Sequence, residues 1–581
     1  MANKQDIPVI IHNGKRGLLT LEDGRLDVLQ LSADGRPPKH LLSCPVRLLL
    51  RAQLSPEPPS AVADGPKRML DIHALVQKSA KSNHLRYTKI RVLVEPAHSV
   101  DAEQWVDQLM VAAYPVTKPY RNVLLLINPV SGKGKGVTIA NHTIIPTLEA
   151  AGCKVDVRET EYRNHAEEIC RDADLSKVDV IAVASGDGGC YEAFNGLAMR
   201  PDGRKALRTP LAPLPTGSAC AACTNLFGPK NTFNVLLATL NVIKGQPMPI
   251  DLQSVVLLPS RERRVSFLSV ALGLMVDLDI GTENLRWIGD SRFLYGYLRG
   301  IMQNKFCKAR IQLNIVDDDK EKMAREAVEA AAADRGPKTV SGGTDPLQLI
   351  RGVQTMSVAS QAVANGEGYG DGLTPSGSRK SSGSSAKPNG SSMPADAASP
   401  APVNGTVNDD ERLPLADLLE PTESWITVDS SGSARHDPQS GTQNAWSEGE
   451  AMLFLYSGLM PYVARDLNQW PVIRAGSGVI DIVLQRCAAR SVMLGQATEG
   501  ASGRPYWLDS QCYYKVLGYT VDNLDKKGQP KLTIDGEGYD WDSFHVEVLP
   551  RAATLLALDG HYYQAEFLSQ APGAAATKPD K

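Results

Sequence analysis

Apolar and polar positions recur with two different periods along this chain, and the change of period divides it. Up to about Tyr114, short apolar runs separated by turn residues (VIIHNG, GLLTLEDGRLDVLQL, VRLLLRAQL, KIRVLVEP) predict strands. SVDAEQWVDQLMVAAY then predicts a helix, with Ser99 or Asp101 as its cap and Trp105, Leu109 and Val111 on its apolar side. From Arg121 strands and helices alternate: NVLLLIN, TIIPTLEAAG ending at Gly152, KVDVRET, NHAEEICRDAD and VDVIAVAS. This βαβα order predicts an open parallel sheet that runs to about Ile250. Beyond it, SVVLLP, RVSFLSVALGLMVDLDI and KARIQLNIV predict a second, mostly antiparallel unit.

The pattern stops between about Asp318 and Leu413, where Gly, Ser, Ala and Pro dominate. Such a segment buries too little apolar surface to offset chain entropy, so a disordered insertion is expected, with KEKMAREAVEAAAADR as a transient helix. Order is expected to resume at WITVDS and to continue through FHVEVLPRAATLLAL. The fold class is therefore α/β + β. The units are a small β-rich module (1–114), an open parallel α/β domain (119–250), and an antiparallel β-sandwich-like domain in two pieces (251–317 and 414–570). The insertion (318–413) separates the two pieces. Strands closed by one Trp-bearing helix resemble a pleckstrin-homology-like module.

Composition narrows the function classes. A net charge of -3 over 581 residues gives nucleic acid no bulk attraction. One CxxC, Cys220 to Cys223, stands among nine cysteines without a second Cys/His pair, which argues against zinc and leaves a redox pair open. The N-terminus lacks the apolar core of a signal peptide, and no run of about 18 apolar residues occurs. A reducing, cytoplasmic setting is expected.

Three strand ends carry the chemistry. LLINPVSGKGKG delivers Asn128 and Pro129 to a loop with Gly132, Gly134 and Gly136, flanked by Lys133 and Lys135. It is neither a Walker A loop nor GxGxxG. SGDGGCYEAFNGL places Gly186 and Gly188 around Asp187 before a helix, whose N-terminus favours anions. A carboxylate beside bound phosphate is repelled unless it serves a cation or takes a proton, and phosphoryl transfer needs both jobs. LPTGSACAACTNLFG supplies a third small-residue turn through Gly217 and Ser218. Glycine-bearing turns at the carboxyl ends of parallel strands face one crevice, which makes the α/β unit a nucleotide-binding domain.

NPVSGKGKG, TEYRNHA, SGDGGCYEAFNGL and LPTGSA occur in the order found in the diacylglycerol kinase catalytic superfamily. FLSVALGLMVDLDIGTENLRWIGDSRFLYG and the late IDGE (Ile534 to Glu537) are similar to sphingosine kinases in particular, and the length of the insertion resembles the fungal type. The resemblance implies ATP and Mg²⁺. It implies ATP contacts from Asn128, Pro129 and the stretch Thr160, Glu161, Tyr162, Arg163 and Asn164. Ser185, Gly186 and Gly188 would line the phosphates, opposite Gly217 and Ser218. Asp187 would be the general base, and Glu192 would support Mg²⁺ geometry. Arg286 and Arg292 would hold phosphates through their planar forks. Gly536 and Glu537 would close the site, with Asp535 nearby as a second candidate neighbour of the metal.

If SVALGLMVDLDIGTE runs on as a strand, Ser269, Gly273, Asp277 and Asp279 share one face. Two carboxylates on an apolar run call for a cationic partner. A sphingoid base carries an ammonium, whereas ceramide and diacylglycerol do not. The resemblance to sphingosine kinases implies Asp279, assisted by Ser269, as the head-group site. The expected activity is phosphorylation of a sphingoid base at its primary hydroxyl, on the surface of intracellular membranes. Ceramide or diacylglycerol kinase and a catalytically dead lipid-binding scaffold are the alternatives. The last draws on one departure: the family commonly has Gly-Ser-Gly-Asn-Ala where this chain has Gly217-Ser218-Ala219-Cys220-Ala221.

Overall fold

The computed structural model describes residues 6–11, 14–32, 36–55, 68–77, 84–282, 291–303, 306–334, 413, 422, 424–432, 446, 449–525, 531–564 and 567. The N-terminal strands are β1 (Ile7–Ile11), β2 (Arg16–Glu22), β3 (Arg25–Gln30), β4 (Lys39–Pro45), β5 (Leu49–Leu54), β6 (Arg68–Gln77) and β7 (Leu85–Val94). They form one antiparallel sheet in the order β4-β3-β2-β1-β7-β6-β5. Helix Ser99–Ala113 packs on it through Ala102, Trp105, Val106, Leu109 and Ala113, a stripe with helical spacing. Val111 falls off that stripe and is 68% exposed, against the expectation that it faces inward. Neither Ser99 nor Asp101 caps the helix: it begins at Ser99 with no side-chain cap, and the Ser99 hydroxyl accepts a hydrogen bond from Arg68 at 2.9 Å instead.

β8 (Asn122–Ile127), β9 (Lys154–Glu159), β10 (Val180–Ser185) and β11 (Leu211–Pro215) are parallel, in the order β9-β8-β10-β11. β10 is buried along its whole length and β8 nearly so, which is why both read as continuous apolar runs. The remaining strands are β12 (Gln246–Leu258), β13 (Glu262–Ser266), β14 (Ser269–Gly273), β15 (Ala309–Asp317), β16 (Ile426–Asp429), β17 (Met452–Gly458), β18 (Tyr462–Ala464) and β19 (Leu467–Asn468). They continue with β20 (Ile480–Arg486), β21 (Gln511–Asn523), β22 (Lys531–Ile534), β23 (Glu537–Asp540) and β24 (Ser543–Ala557). All but the β18–β19 hairpin join β8–β11 in one 15-stranded sheet.

β24 is the connecting strand. It pairs antiparallel with β12 and β21, and parallel with β11 where Leu555 faces Leu211. The parallel and antiparallel regions, expected as separate sheets, therefore share a strand. The β12–β24 register shifts between Ile250 and Leu252. There the buried Asp251 carboxylate accepts the Arg551 amide of β24 at 2.7 Å and the Gly478 amide, ahead of β20, at 2.8 Å.

Two further expectations are corrected. The run SVALGLMVDLD is not a strand throughout: β14 ends at Gly273, and Leu274–Asp279 is helical. Gly273 has φ +72°, and a Cβ there would lie 2.3 Å from the Leu453 carbonyl oxygen. The turn thus needs glycine, and it ends the strand on which Asp277 and Asp279 were expected to alternate with Ser269. The helix at Lys320–Asp334 is a packed element that buries Met323, Ala324, Ala327 and Ala331. Its Lys320 ammonium donates to the carbonyls of Leu508 (3.1 Å) and Gln511 (2.6 Å). The insertion expected over 318–413 therefore begins with ordered chain; residues 335–412 lie outside the described residues.

The N-terminal sheet docks against the α/β region. At the end of helix Val235–Lys244, the buried Lys244 ammonium donates to Ala113 O at 2.8 Å and sits 4.3 Å from the Tyr114 ring centroid. Arg47 donates to Leu558 O at 3.2 Å. Among the described residues, no helix is long and apolar enough to cross a membrane.

Candidate active site

The three glycine turns close on one another at the carboxyl ends of β8, β10 and β11. The Asn128 amide continues the sheet by donating to Ala184 O at 3.0 Å, and its side-chain oxygen accepts the Val130 amide at 3.1 Å. Pro129 follows it, ahead of a short helical turn at Ser131–Gly134. The Asn128 side-chain amide reaches the hydroxyl of buried Ser185 at 3.4 Å. Gly217 N–H donates to Ser185 O at 3.2 Å, which ties the third turn to the second. The packing is backbone against backbone. A Cβ on Gly132 would lie 1.8 Å from Thr216 O, and one on Gly217 would lie 2.8 Å from the Gly186 Cα. These close approaches of backbone to backbone exist only because side chains are absent.

Helix Asp187–Ala198 starts directly after β10 and Gly186. Asp187 keeps partial contact with solvent, but its carboxyl group is set into the crevice wall. It accepts the Ala221 amide at 2.7 Å and the Ala222 amide at 2.9 Å, the first two residues of helix Ala221–Phe227. Burial pushes its pKa above the ordinary aspartate value, and the two amides pull the other way. This pair of amides is a feature that sequence reading missed. The available signal was a helix start at Ala221, one turn after the third strand end.

The Thr160–Asn164 stretch lies beside this wall. Thr160 N–H donates to Ile127 O at 2.9 Å, and Glu161 N–H donates to His165 Nδ1 at 3.0 Å. The Tyr162 ring stacks on His165 at 4.5 Å, and its hydroxyl donates to Glu168 at 2.6 Å. Asn164, with φ +68°, is held by Glu192: the Asn164 and Ala166 amides donate to its two carboxylate oxygens at 3.0 and 3.1 Å. Glu192 therefore positions this loop through backbone bonds to both of its oxygens. Arg163 extends across the crevice and pairs with Glu537. Ser218 is half-buried on the third turn.

The IDGE turn joins β22 to β23. Asp535 is buried, and its carboxylate accepts four hydrogen bonds: from the Ser266 hydroxyl (2.7 Å) and from the amides of Phe267 (3.0 Å), Leu268 (3.0 Å) and Ser269 (2.8 Å). Burial pushes its pKa up to about 6 against those donors. A group so fully engaged builds the turn and does not meet a metal, contrary to the expectation for Asp535. Gly536 follows with φ +85°, which turns the chain so that Glu537 comes close to Gly188: a Cβ on Gly188 would lie 3.1 Å from Glu537 Oε1. Tyr191 and Tyr539 share a hydrogen bond at 2.6 Å across the same boundary, another contact that the sequence did not suggest.

The structure thus brings together Asn128, Ser185, Gly186, Asp187, Gly188, Glu192, Gly217, Arg163 and Glu537. Ser269 is buried on β14, where its amide and carbonyl are both bonded to Asp535. Asp279 is the last residue of helix Leu274–Asp279, and Arg292 is the second of helix Ser291–Gln303; Arg286 lies outside the described residues. Among the described residues, no group of three or more His, Cys, Asp or Glu side chains could hold a metal ion. The glycine cradle fits nucleotide phosphates, whereas the acidic side chains offer no metal cage. A cavity of about 890 Å³ between β9 and helix His165–Asp172 contains none of the glycine turns.

Comparison with known proteins agrees with this geometry. Residues 122–255 match the family model described as diacylglycerol kinase catalytic domain. The chain is 26% identical over 481 residues to sphingoid long chain base kinase 5 of Saccharomyces cerevisiae, a match that covers 81% of this chain and 64% of that protein. It is 24% identical to sphingoid long chain base kinase 4 of Schizosaccharomyces pombe, over 79% of each chain. Over 31% of this chain and 28% of the relative, it is 38% identical to sphingosine kinase 2 of Homo sapiens. The segment that matches the diacylglycerol kinase catalytic domain, residues 122–255, carries all three glycine turns and Asp187.

Proposed function

We propose that this protein is a kinase that transfers the γ-phosphoryl group of ATP to the primary hydroxyl of a sphingoid long-chain base. The observation that carries the proposal is the placement of the Asp187 carboxylate. It is held by two backbone amides at the mouth of a glycine-walled crevice, beside Arg163 and Glu537. Bound ATP supplies the phosphoryl group. Asp187 accepts the proton of the attacking hydroxyl, and the glycine turns bind phosphate oxygens through their amides. Glu192 keeps the Thr160–Asn164 loop in register with the phosphates. Because Glu192 and Asp535 are engaged by protein donors, Mg²⁺ would be held chiefly by the phosphates, as is common for this ion.

The named activities of the matched relatives support a sphingoid base as acceptor. Asp279, with Ser269, is proposed to recognise the head-group amine and hydroxyl. We also take the N-terminal sheet and its Trp105 helix as a pleckstrin-homology-like module, and the protein as a peripheral visitor to cytoplasmic membrane surfaces, where such lipids reside. The test is phosphate transfer from labelled ATP with Mg²⁺ to sphingosine, dihydrosphingosine, ceramide and diacylglycerol in detergent micelles. Labelling of the amine-bearing bases alone is expected, and Asp279→Ala should abolish it. Labelling of ceramide or diacylglycerol instead would reject the amine site. No labelling from folded protein would favour a scaffold.

A further inference from the structure

The departure at Cys220 lies next to the catalytic candidate. Cys220 is the residue that precedes helix Ala221–Phe227, and its side chain makes no capping bond. Cys223 is the third residue of that helix, and its thiol donates to the Pro213 carbonyl at 3.6 Å. Both are free thiols, buried just behind half-exposed Ser218 and Ala219 on the crevice wall. The two residues between them are Ala221 and Ala222, whose amides hold the Asp187 carboxylate at 2.7 and 2.9 Å. The CxxC and the anchor of the base are therefore one four-residue segment.

We propose that Cys220 and Cys223 form a reversible disulfide that switches the site off by drawing the Ala221 and Ala222 amides away from Asp187. For its effect on turnover, this inference rests on the kinase reading above. Cys220 precedes the helix with extended backbone (φ -155°), and a disulfide needs its Cβ and that of Cys223 about 3.5–4.5 Å apart. Closing the bond fixes the backbone between them, which is where the Asp187 acceptor geometry is set. The oxidant is a low-molecular-weight disulfide. The Cys220 thiolate attacks one of its sulfurs and expels one small thiol; the Cys223 thiolate then attacks the mixed disulfide and expels the second. Overall, two protons and two electrons pass from the cysteines to the small disulfide, which leaves as two thiols. Cys190, on helix Asp187–Ala198, is a third buried thiol in the neighbourhood of Cys220, so the pairing itself is open to test.

The full chain would be equilibrated in glutathione buffers from fully reduced to fully oxidised. Intact mass, differential alkylation with peptide mapping, and the initial rate with sphingosine would then be read. The expected result is a linked Cys220–Cys223 peptide and a rate at least tenfold lower, restored by dithiothreitol. Cys223→Ala should keep its own reduced rate in the oxidised buffer. The inference is overturned if both thiols stay free in the most oxidising buffer, or if Cys220 is linked to Cys190 instead. It is also overturned if the linked protein turns over normally, or if Cys223→Ala is inhibited to the same degree. Should the reduced protein phosphorylate no lipid, the kinase reading fails separately. The disulfide is then judged by mass and by hydrogen exchange: faster exchange at the Ala221 and Ala222 amides on oxidation supports it, and unchanged exchange rejects it.

Discussion

Asp187 and Asp535 are two carboxylates held by backbone amides, and their surroundings give them different work. Asp535 accepts four donors inside the protein and has no capacity left for a substrate. Asp187 accepts two, from Ala221 and Ala222, and faces the crevice. Asp187→Asn should therefore lower turnover by about 10²–10⁴-fold while nucleotide binding persists, as measured by labelled-ATP transfer beside equilibrium nucleotide titration. Because burial raises the Asp187 pKa and the base acts when deprotonated, the acid limb of the rate profile should lie above the ordinary aspartate range. In a pH–rate series, a limb inside that range would contradict the burial argument. Asp535→Ala strips the acceptor from three amides and a hydroxyl, so a loss of about 3 kcal/mol or more is expected in denaturant unfolding, with Asp535→Asn milder.

At the scale of elements, glycine decides where strands stop. Gly273 breaks the SVALGLMVDLD run because its left-handed φ and the nearby Leu453 carbonyl exclude any other residue. Gly273→Ala should cost about 1–3 kcal/mol in backbone strain, and more where the clash forces β14 away from β17; thermal unfolding would measure it. The apolar alternation in this run was legible, but the change from strand to helix was not. Its cause is a carbonyl contributed by residue 453, far along the chain. The three crevice turns were legible as Gly-bearing strand ends, but their mutual contact was not. Gly132 meets Thr216, and Gly217 meets Gly186, only after the parallel order of β8, β10 and β11 is set. Gly217→Ala should accordingly weaken nucleotide affinity by tenfold or more, roughly 1.4 kcal/mol, in a nucleotide titration of the folded protein.

On the scale of the whole molecule, β24 threads both regions of the sheet, and the N-terminal sheet is docked through Lys244 and Arg47. Deleting residues 1–114 removes the acceptor of the buried Lys244 ammonium, which burial already holds well below its ordinary pKa. Thermal unfolding of the remainder is expected to begin several degrees lower than in the full chain, since the Lys244 and Arg47 bonds and the packing of the docked sheet are lost. An unchanged midpoint would mean that the two parts are energetically independent.

The amino-acid sequence by itself determined the alternation that makes the parallel sheet, the glycine-bearing turns at its strand ends, and the order of motifs that points to a lipid kinase. Each of these is local, set by side-chain period and backbone freedom within a few residues. Tertiary structure alone decided what the acidic residues do. Glu192 meets the Asn164 and Ala166 amides, Asp535 meets the turn before β14, and Asp187 meets the start of helix Ala221–Phe227. Whether a carboxylate serves the backbone or is left for chemistry depends on which amides the fold brings to it, and those amides lie from 26 to 268 residues away in the chain.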